Sequence, residues 1–103
     1  MAESPQKIVE GSALTAQQKK DLLNRLARIE GQLRGVQKLV ALAAEPADVD
    51  AVAQQMAAAR KALDRSFVQL LAGALQTQAG NAQDLEEAKA RSAHLAAMLD
   101  KFA

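Results

Sequence analysis

The feature that most constrains this chain is an apolar stripe with helical spacing. Leucine, isoleucine and valine recur at alternating steps of four and three residues from Leu22 to Val40. This spacing places the side chains on one face of an α-helix. Thr15, with Gln18 three residues later, matches a capping box, in which the two residues satisfy backbone N–H groups at the helix start. The pattern predicts a helix over residues 15–44.

A second stripe with the same spacing follows Pro46, a residue that suits the first turn of a helix. It extends from Val49 to Ala74 and predicts a helix over residues 47–77. No alternation of β-branched and polar residues occurs in the sequence, so strands are not expected.

A third helix is expected over residues 82–102. Gly80 supplies a stop signal for the second helix, and Asn81 with Asp84 supplies a new start. The apolar stripe of this third helix is the weakest of the three, because Ser92 falls on the same face.

The first residues differ in character from the rest. Residues 1–14 contain Pro5 and Gly11 and show no sustained apolar period, so a flexible N-terminal arm is expected there. Residues 15–103 are expected to form a single helical domain. Its two long helices, joined by a short link, favour an antiparallel hairpin, and two hairpins can pair into a four-helix bundle.

The composition predicts that the chain needs a partner. Half of the residues are apolar, but there is no Trp, no Tyr and only two Phe. An alanine-rich core buries little surface per residue. We therefore expect an all-α fold with three helices per chain, assembled as a four-helix-bundle homodimer and then as a dimer of dimers.

Several classes of function are excluded or disfavoured. The chain has no Cys and a single His, so disulfides, cysteine nucleophiles and zinc sites of the usual Cys/His kind cannot form. No two catalytic groups converge in the sequence, so an enzyme is not expected. No apolar stretch is long enough for a bilayer and the N-terminus has no signal core, which predicts a cytoplasmic protein without a membrane partner.

Charge is unevenly distributed along the chain. Residues 16–44 carry a net charge of +4, whereas residues 45–103 carry −2. On a helical wheel most basic residues of the first helix point away from the apolar stripe, and this face is either a solvated surface or a nucleic-acid surface. Arg65 on the second helix could extend it. The candidate DNA-binding residues are Lys20, Arg25, Arg28, Gln32, Arg34, Lys38, Arg60 and Lys61.

Two segments resemble a known family. The run RLARIEGQLRGV, from Arg25 to Val36, is similar to the first-helix signature of the copper-, nickel/cobalt- and formaldehyde-sensing repressors of the CsoR/RcnR/FrmR family. The run AQQMAAARKAL, from Ala53 to Leu63, resembles their second-helix pattern, and the similarity covers about residues 15–102.

The resemblance implies a repressor that forms tetramers from four-helix dimers and binds double-stranded operator DNA until an inducer releases it. It also implies that the basic residues of the first two helices bind the DNA. The residues that match this motif are Arg25, Arg28, Gln32, Arg34 and Arg60.

The sequence departs from the family at its sensing site. The positions that hold Cys or His ligands in the family are Val49, Ala74 and Gln78 here, and none of these suits copper or nickel. Val49 and Ala74 are expected to have become core, and no cofactor is expected. The identity of the inducer is left open. The protein could respond to another ligand, respond to no small molecule, or pair with a cysteine-containing paralogue that does the sensing. The alternative to a DNA-binding repressor is a helical accessory subunit that pairs with a related sensor.

Overall fold

The computed structural model describes residues 7–80 and 83–102, and within them the chain is all-α, as expected. It consists of α1 (Ala16–Leu42), α2 (Asp48–Gly80) and α3 (Leu85–Phe102). The first six residues of the predicted arm, and Asn81 and Ala82 at the predicted start of the third helix, lie outside the described residues.

The start of α1 confirms the predicted capping box. Gln18 N donates a hydrogen bond to Thr15 Oγ1 (3.0 Å), and Thr15 N donates one to Gln18 Oε1 (2.8 Å). Residues 7–14 precede the helix and are not helical. Lys19 Nζ donates a hydrogen bond to Val9 O, so this part of the predicted arm contacts α1.

The link between α1 and α2 is held by one carboxylate. Asp48 Oδ2 accepts hydrogen bonds from Ala44 N and Glu45 N, both at 3.0 Å. Because the backbone of Ala43 is extended, α1 ends at Leu42, two residues before the predicted end. α2 begins one residue later than predicted.

The second junction also differs from the prediction. α2 continues three residues past Thr77 to Gly80, and no described glycine has a positive φ, so Gly80 closes the helix in a helical conformation. α3 begins at Leu85 because Asp84 is itself the cap: its Oδ1 accepts a hydrogen bond from Glu87 N (2.7 Å). The predicted start at residue 82 was therefore too early.

The three helices lie in a single layer. The Cα atoms extend 60 × 31 × 13 Å, so the arrangement is much thinner than it is long or wide. The radius of gyration is 17.9 Å, against about 13 Å for a compact chain of this length. α2 lies between the other two helices and packs on both.

The buried residues lie where α2 meets its neighbours. Ser66 on α2 is only 2% exposed and donates its hydroxyl hydrogen to Ala62 O within the same helix (3.1 Å). The buried apolar residues of the described chain are Ile29, Val36, Ala59, Ala74 and Leu95.

Polar and aromatic contacts hold α3 antiparallel to α2. The rings of Phe67 and Phe102 meet edge to face, with centroids 6.4 Å apart. Arg91 pairs with Glu87 and donates a hydrogen bond to Gln78 O (3.1 Å), which satisfies a carbonyl in the last turn of α2.

A large part of each apolar stripe is left uncovered. Val40 is 56% exposed although it belongs to the same stripe as Ile29, which is 4% exposed. Of the two family ligand positions predicted to be core, Ala74 is buried but Val49 is 60% exposed, because no other helix of the chain covers that side of α2. Burial of Val49 in a core therefore stays a prediction for the assembled protein. None of the helices in the described ranges is long and apolar enough to cross a membrane.

The two glycines inside α1 yield a stability prediction. A Cβ built on Gly31 or Gly35 would meet no atom within 4 Å, so no other part of the chain requires glycine there. Gly31→Ala should raise the free energy of unfolding by up to about 1 kcal/mol, because alanine favours helix. Urea denaturation measures this change, with Gly11→Ala outside the helices as a control of smaller effect. Destabilisation by Gly31→Ala would instead show that a partner chain packs against this position.

The link predicts a pH dependence. The backbone hydrogen bonds from Glu45 and Ala44 lower the pKa of Asp48 below its ordinary value of 3.8. The fold therefore favours the ionised carboxylate, and its stabilising effect is present above the unfolded pKa and lost as pH falls through the lower folded pKa.

Asp48→Asn should therefore lower the melting temperature at neutral pH, and the difference from the unmodified chain should shrink in acid. Thermal unfolding followed by circular dichroism at a series of pH values checks this. Asp50→Asn removes a second charge from the first turn of α2 and should have the smaller effect. A difference that does not change down to the lowest pH would contradict the assignment.

Candidate nucleic-acid interface

The predicted basic residues all lie on the surface of α1 and α2. Because the two helices run antiparallel, the middle of α1 lies beside the middle of α2. The exposed residues of the predicted set are Lys20, Arg25, Arg28, Gln32, Arg34, Lys38, Arg60 and Lys61.

A groove between α1 and α2 brings some of these side chains together. It has a volume of about 270 Å³, and no acidic residue lines it. Three arginines and a glutamine surround it, above two apolar residues. Its lining consists of Arg25, Arg28, Ile29 and Gln32 from α1 and Ala62 and Arg65 from α2.

This arrangement suits phosphate recognition. A guanidinium group presents a planar fork of N–H donors that matches two phosphate oxygens. A glutamine amide both donates and accepts, so Gln32 can bond a phosphate oxygen or a base edge. The shallow groove between two rigid helices holds these groups at a fixed spacing.

The structure separates the predicted residues into two sets. Arg25, Arg28 and Gln32 line the groove, whereas the other five lie elsewhere on the exposed surface. Arg65, which the sequence suggested only as an extension, is part of the groove lining. The predicted antiparallel hairpin could have placed Arg65 at the groove, because it sets the middle of α2 beside Arg25 and Arg28.

The positions of the family's sensing ligands do not form a metal site in this chain. The side chains at these positions, Val49, Ala74 and Gln78, offer no thiolate or imidazole, so they do not fit copper or nickel. Within residues 7–80 and 83–102, no group of three His, Cys, Asp or Glu residues could hold a metal ion.

The sequence did not reveal a second cavity. It lies where the start of α1 meets the last turns of α2, and Gln18, Gln69 and Gln76 line it. Gln18 was interpreted only as a capping residue. The available signal was the concentration of glutamines near the end of α2, which does not by itself specify a cavity.

One of three comparisons with known proteins found a match. A family model described as a metal-sensitive transcriptional repressor matches residues 18–101, which include the basic groove and nearly all of the three helices. The comparisons with curated proteins and with solved structures found no match.

Proposed function

Because the chain belongs to the family of metal-sensitive transcriptional repressors, we propose that it represses transcription by docking on operator DNA through the groove between α1 and α2. The family membership expected from the sequence is confirmed, and the family consists of transcriptional regulators rather than enzymes. As a DNA-binding regulator, the protein would act in the cytoplasm.

The observation that carries this proposal is the convergence of Arg25, Arg28 and Arg65 around Gln32 with no acidic residue in the lining. A duplex presents phosphates at regular spacing, and neutralising them releases counterions, which supplies much of the affinity. The exposed basic residues outside the groove would extend the contact along the backbone. These residues are Lys20, Arg34, Lys38, Arg60 and Lys61.

The uncovered apolar stripes support assembly into a homodimer and then a homotetramer. Leu33 and Val40 on α1, and Met56 and Leu63 on α2, are each about half exposed in the single chain. Apolar surface of this extent is unfavourable in water. Two hairpins that pair as a four-helix bundle would bury these side chains while the basic groove stays outside.

A second candidate is an accessory subunit that pairs with a related, cysteine-containing sensor. The residues at the family's ligand positions favour it, since Val49, Ala74 and Gln78 cannot sense copper or nickel. Co-purification with such a paralogue, combined with no affinity for DNA, would support this role instead.

Fluorescence anisotropy with DNA from the region upstream of the protein's own gene tests the proposed function. The expected result is binding to this DNA that is clearly tighter than binding to random DNA of equal length. Equal affinity for the two would contradict an operator-binding repressor.

Arg28→Ala should weaken DNA binding and reduce its dependence on salt. Each lost phosphate contact should lower the slope of log affinity against log salt concentration by roughly 0.9. Anisotropy titrations at several salt concentrations measure the slope. Lys89→Ala removes the same charge from the exposed surface of α3 and should leave the slope nearly unchanged. Equal effects of the two substitutions would show that net charge, not the groove, governs binding.

Leu33→Glu should dissociate the assembly, because it places a charge within the apolar face proposed to be the interface. Light scattering at micromolar concentration should show an oligomer for the unmodified chain and a smaller species for the variant. Val9→Glu changes another exposed apolar residue, which precedes α1, and should leave the mass unchanged. A monomeric unmodified chain would overturn the proposed assembly.

A further inference from the structure

The groove between α1 and α2 has the features of a site for a small anion as well as those of a DNA contact. Its volume is about 270 Å³, just below the range of roughly 300–1,000 Å³ that is typical of sites for drug-sized ligands. Arg25 and Arg28 line it from one helix, and Arg65 lines it from the other. The groove can therefore hold a small charged group between two helices.

Two of these arginines have no counter-ion of their own. In the part of the chain that the structure describes, neither Arg25 nor Arg65 has an acidic partner. Arg91 on α3 differs from them, since it forms an ion pair with Glu87 one helical turn away. Like charges that line one groove repel each other, and an anion bound between them replaces this repulsion with attraction.

Buried side chains beneath the groove hold its two walls together. Ile29, which is part of the lining, is 4% exposed, and Ser66, the neighbour of Arg65 in sequence, is 2% exposed. Close packing of this kind keeps α1 and α2 at a fixed distance from each other. The guanidinium groups therefore need little rearrangement of the backbone to bind an anion from both sides.

The arrangement fits a diphosphate group better than a single phosphate. Each guanidinium presents a planar fork of N–H donors, and the amide of Gln32 adds further donors. Forks that come from two helices need more acceptor oxygens than one phosphate presents, and a diphosphate supplies them together with more negative charge. A DNA strand, by contrast, carries its negative charges one to a nucleotide along its length.

We propose that the groove also binds a diphosphate group, either as free pyrophosphate or as part of a nucleotide. Because DNA docking as proposed above uses the same guanidinium groups, the diphosphate competes with operator DNA. The competition rests on the proposed function, whereas binding of the diphosphate does not. A phosphorylated small molecule would then release the repressor from DNA without any thiolate or imidazole ligand in the chain.

Calorimetry on the full chain, without DNA and without divalent cations, tests the site. The probe is inorganic pyrophosphate, and inorganic phosphate is the control with a single phosphate group. We expect pyrophosphate to bind and phosphate to bind at least about tenfold more weakly. ADP and adenosine separate the two sources of the diphosphate. ADP that binds more tightly than pyrophosphate identifies a nucleotide, weaker binding of ADP identifies free pyrophosphate, and adenosine should not bind.

Arg25→Gln and Arg65→Gln each remove one guanidinium, from opposite sides of the groove. Each should weaken the binding of pyrophosphate by roughly tenfold or more. Lys89→Gln removes the same charge from the exposed surface of α3 and should bind pyrophosphate with unchanged affinity. No binding to the unmodified chain, equal affinity for phosphate and pyrophosphate, or equal losses in all three variants would overturn the site. Circular dichroism verifies that each variant keeps its helices.

Anisotropy with operator DNA then tests the competition. Salt alone weakens DNA binding, so sodium chloride keeps the ionic strength constant as pyrophosphate is added. We expect pyrophosphate to raise the apparent dissociation constant for DNA, and Arg65→Gln to reduce this effect. If pyrophosphate binds but the DNA affinity does not change, the competition is wrong and the diphosphate site stands. If the chain binds no DNA at all, the proposed function and the competition both fail, while calorimetry still decides whether the site exists.

Discussion

The structure depends on a constraint of geometry: three helices in one layer cannot enclose a core. The shortest Cα dimension is 13 Å, so each helix has neighbours only at its sides. Hydrophobic burial is the main favourable contribution to folding, and here few side chains within the chain obtain it. In the proposed assembly a second layer would supply the rest. The apolar face would then lie between the two layers, and the polar face that carries the arginines would be left for other partners.

The spacing of apolar residues predicts the helices well, because it shows on which face of a helix each side chain lies. It does not show how deeply that side chain is buried. The stripe of α1 correctly indicated one face, and the Thr15 capping box marked where the helix begins. The same stripe treated Ile29 and Val40 alike, although only Ile29 is covered by α2. Val49 is likewise exposed in the single chain, although it continues the stripe of α2. Asp84 caps α3 and is not part of its first turn. This distinction depends on one hydrogen bond, from Glu87 N to Asp84 Oδ1.

The candidate site was predictable where it lies on one helix and not where it depends on two. The positions of Arg25, Arg28 and Gln32 follow from the sequence of α1 alone. The contribution of Arg65 depends on the register between α1 and α2, which the length of the link constrains but does not determine. The unpartnered Oε1 of Gln69 depends on burial by neighbouring side chains. Composition and spacing contain no signal for it.

The register between α1 and α2 relates the link, the contact between the helices and the basic groove. Small residues such as Ala59 and Ser66 occupy the contact surface of α2, and small side chains interlock less deeply than large ones. The polar bonds at the two ends therefore contribute much of the register. Asp48 accepts backbone hydrogen bonds in the link, and Thr77 Oγ1 donates a hydrogen bond to Gln18 Oε1 at the opposite end. A change at either end alters how Arg65 is placed against Arg25.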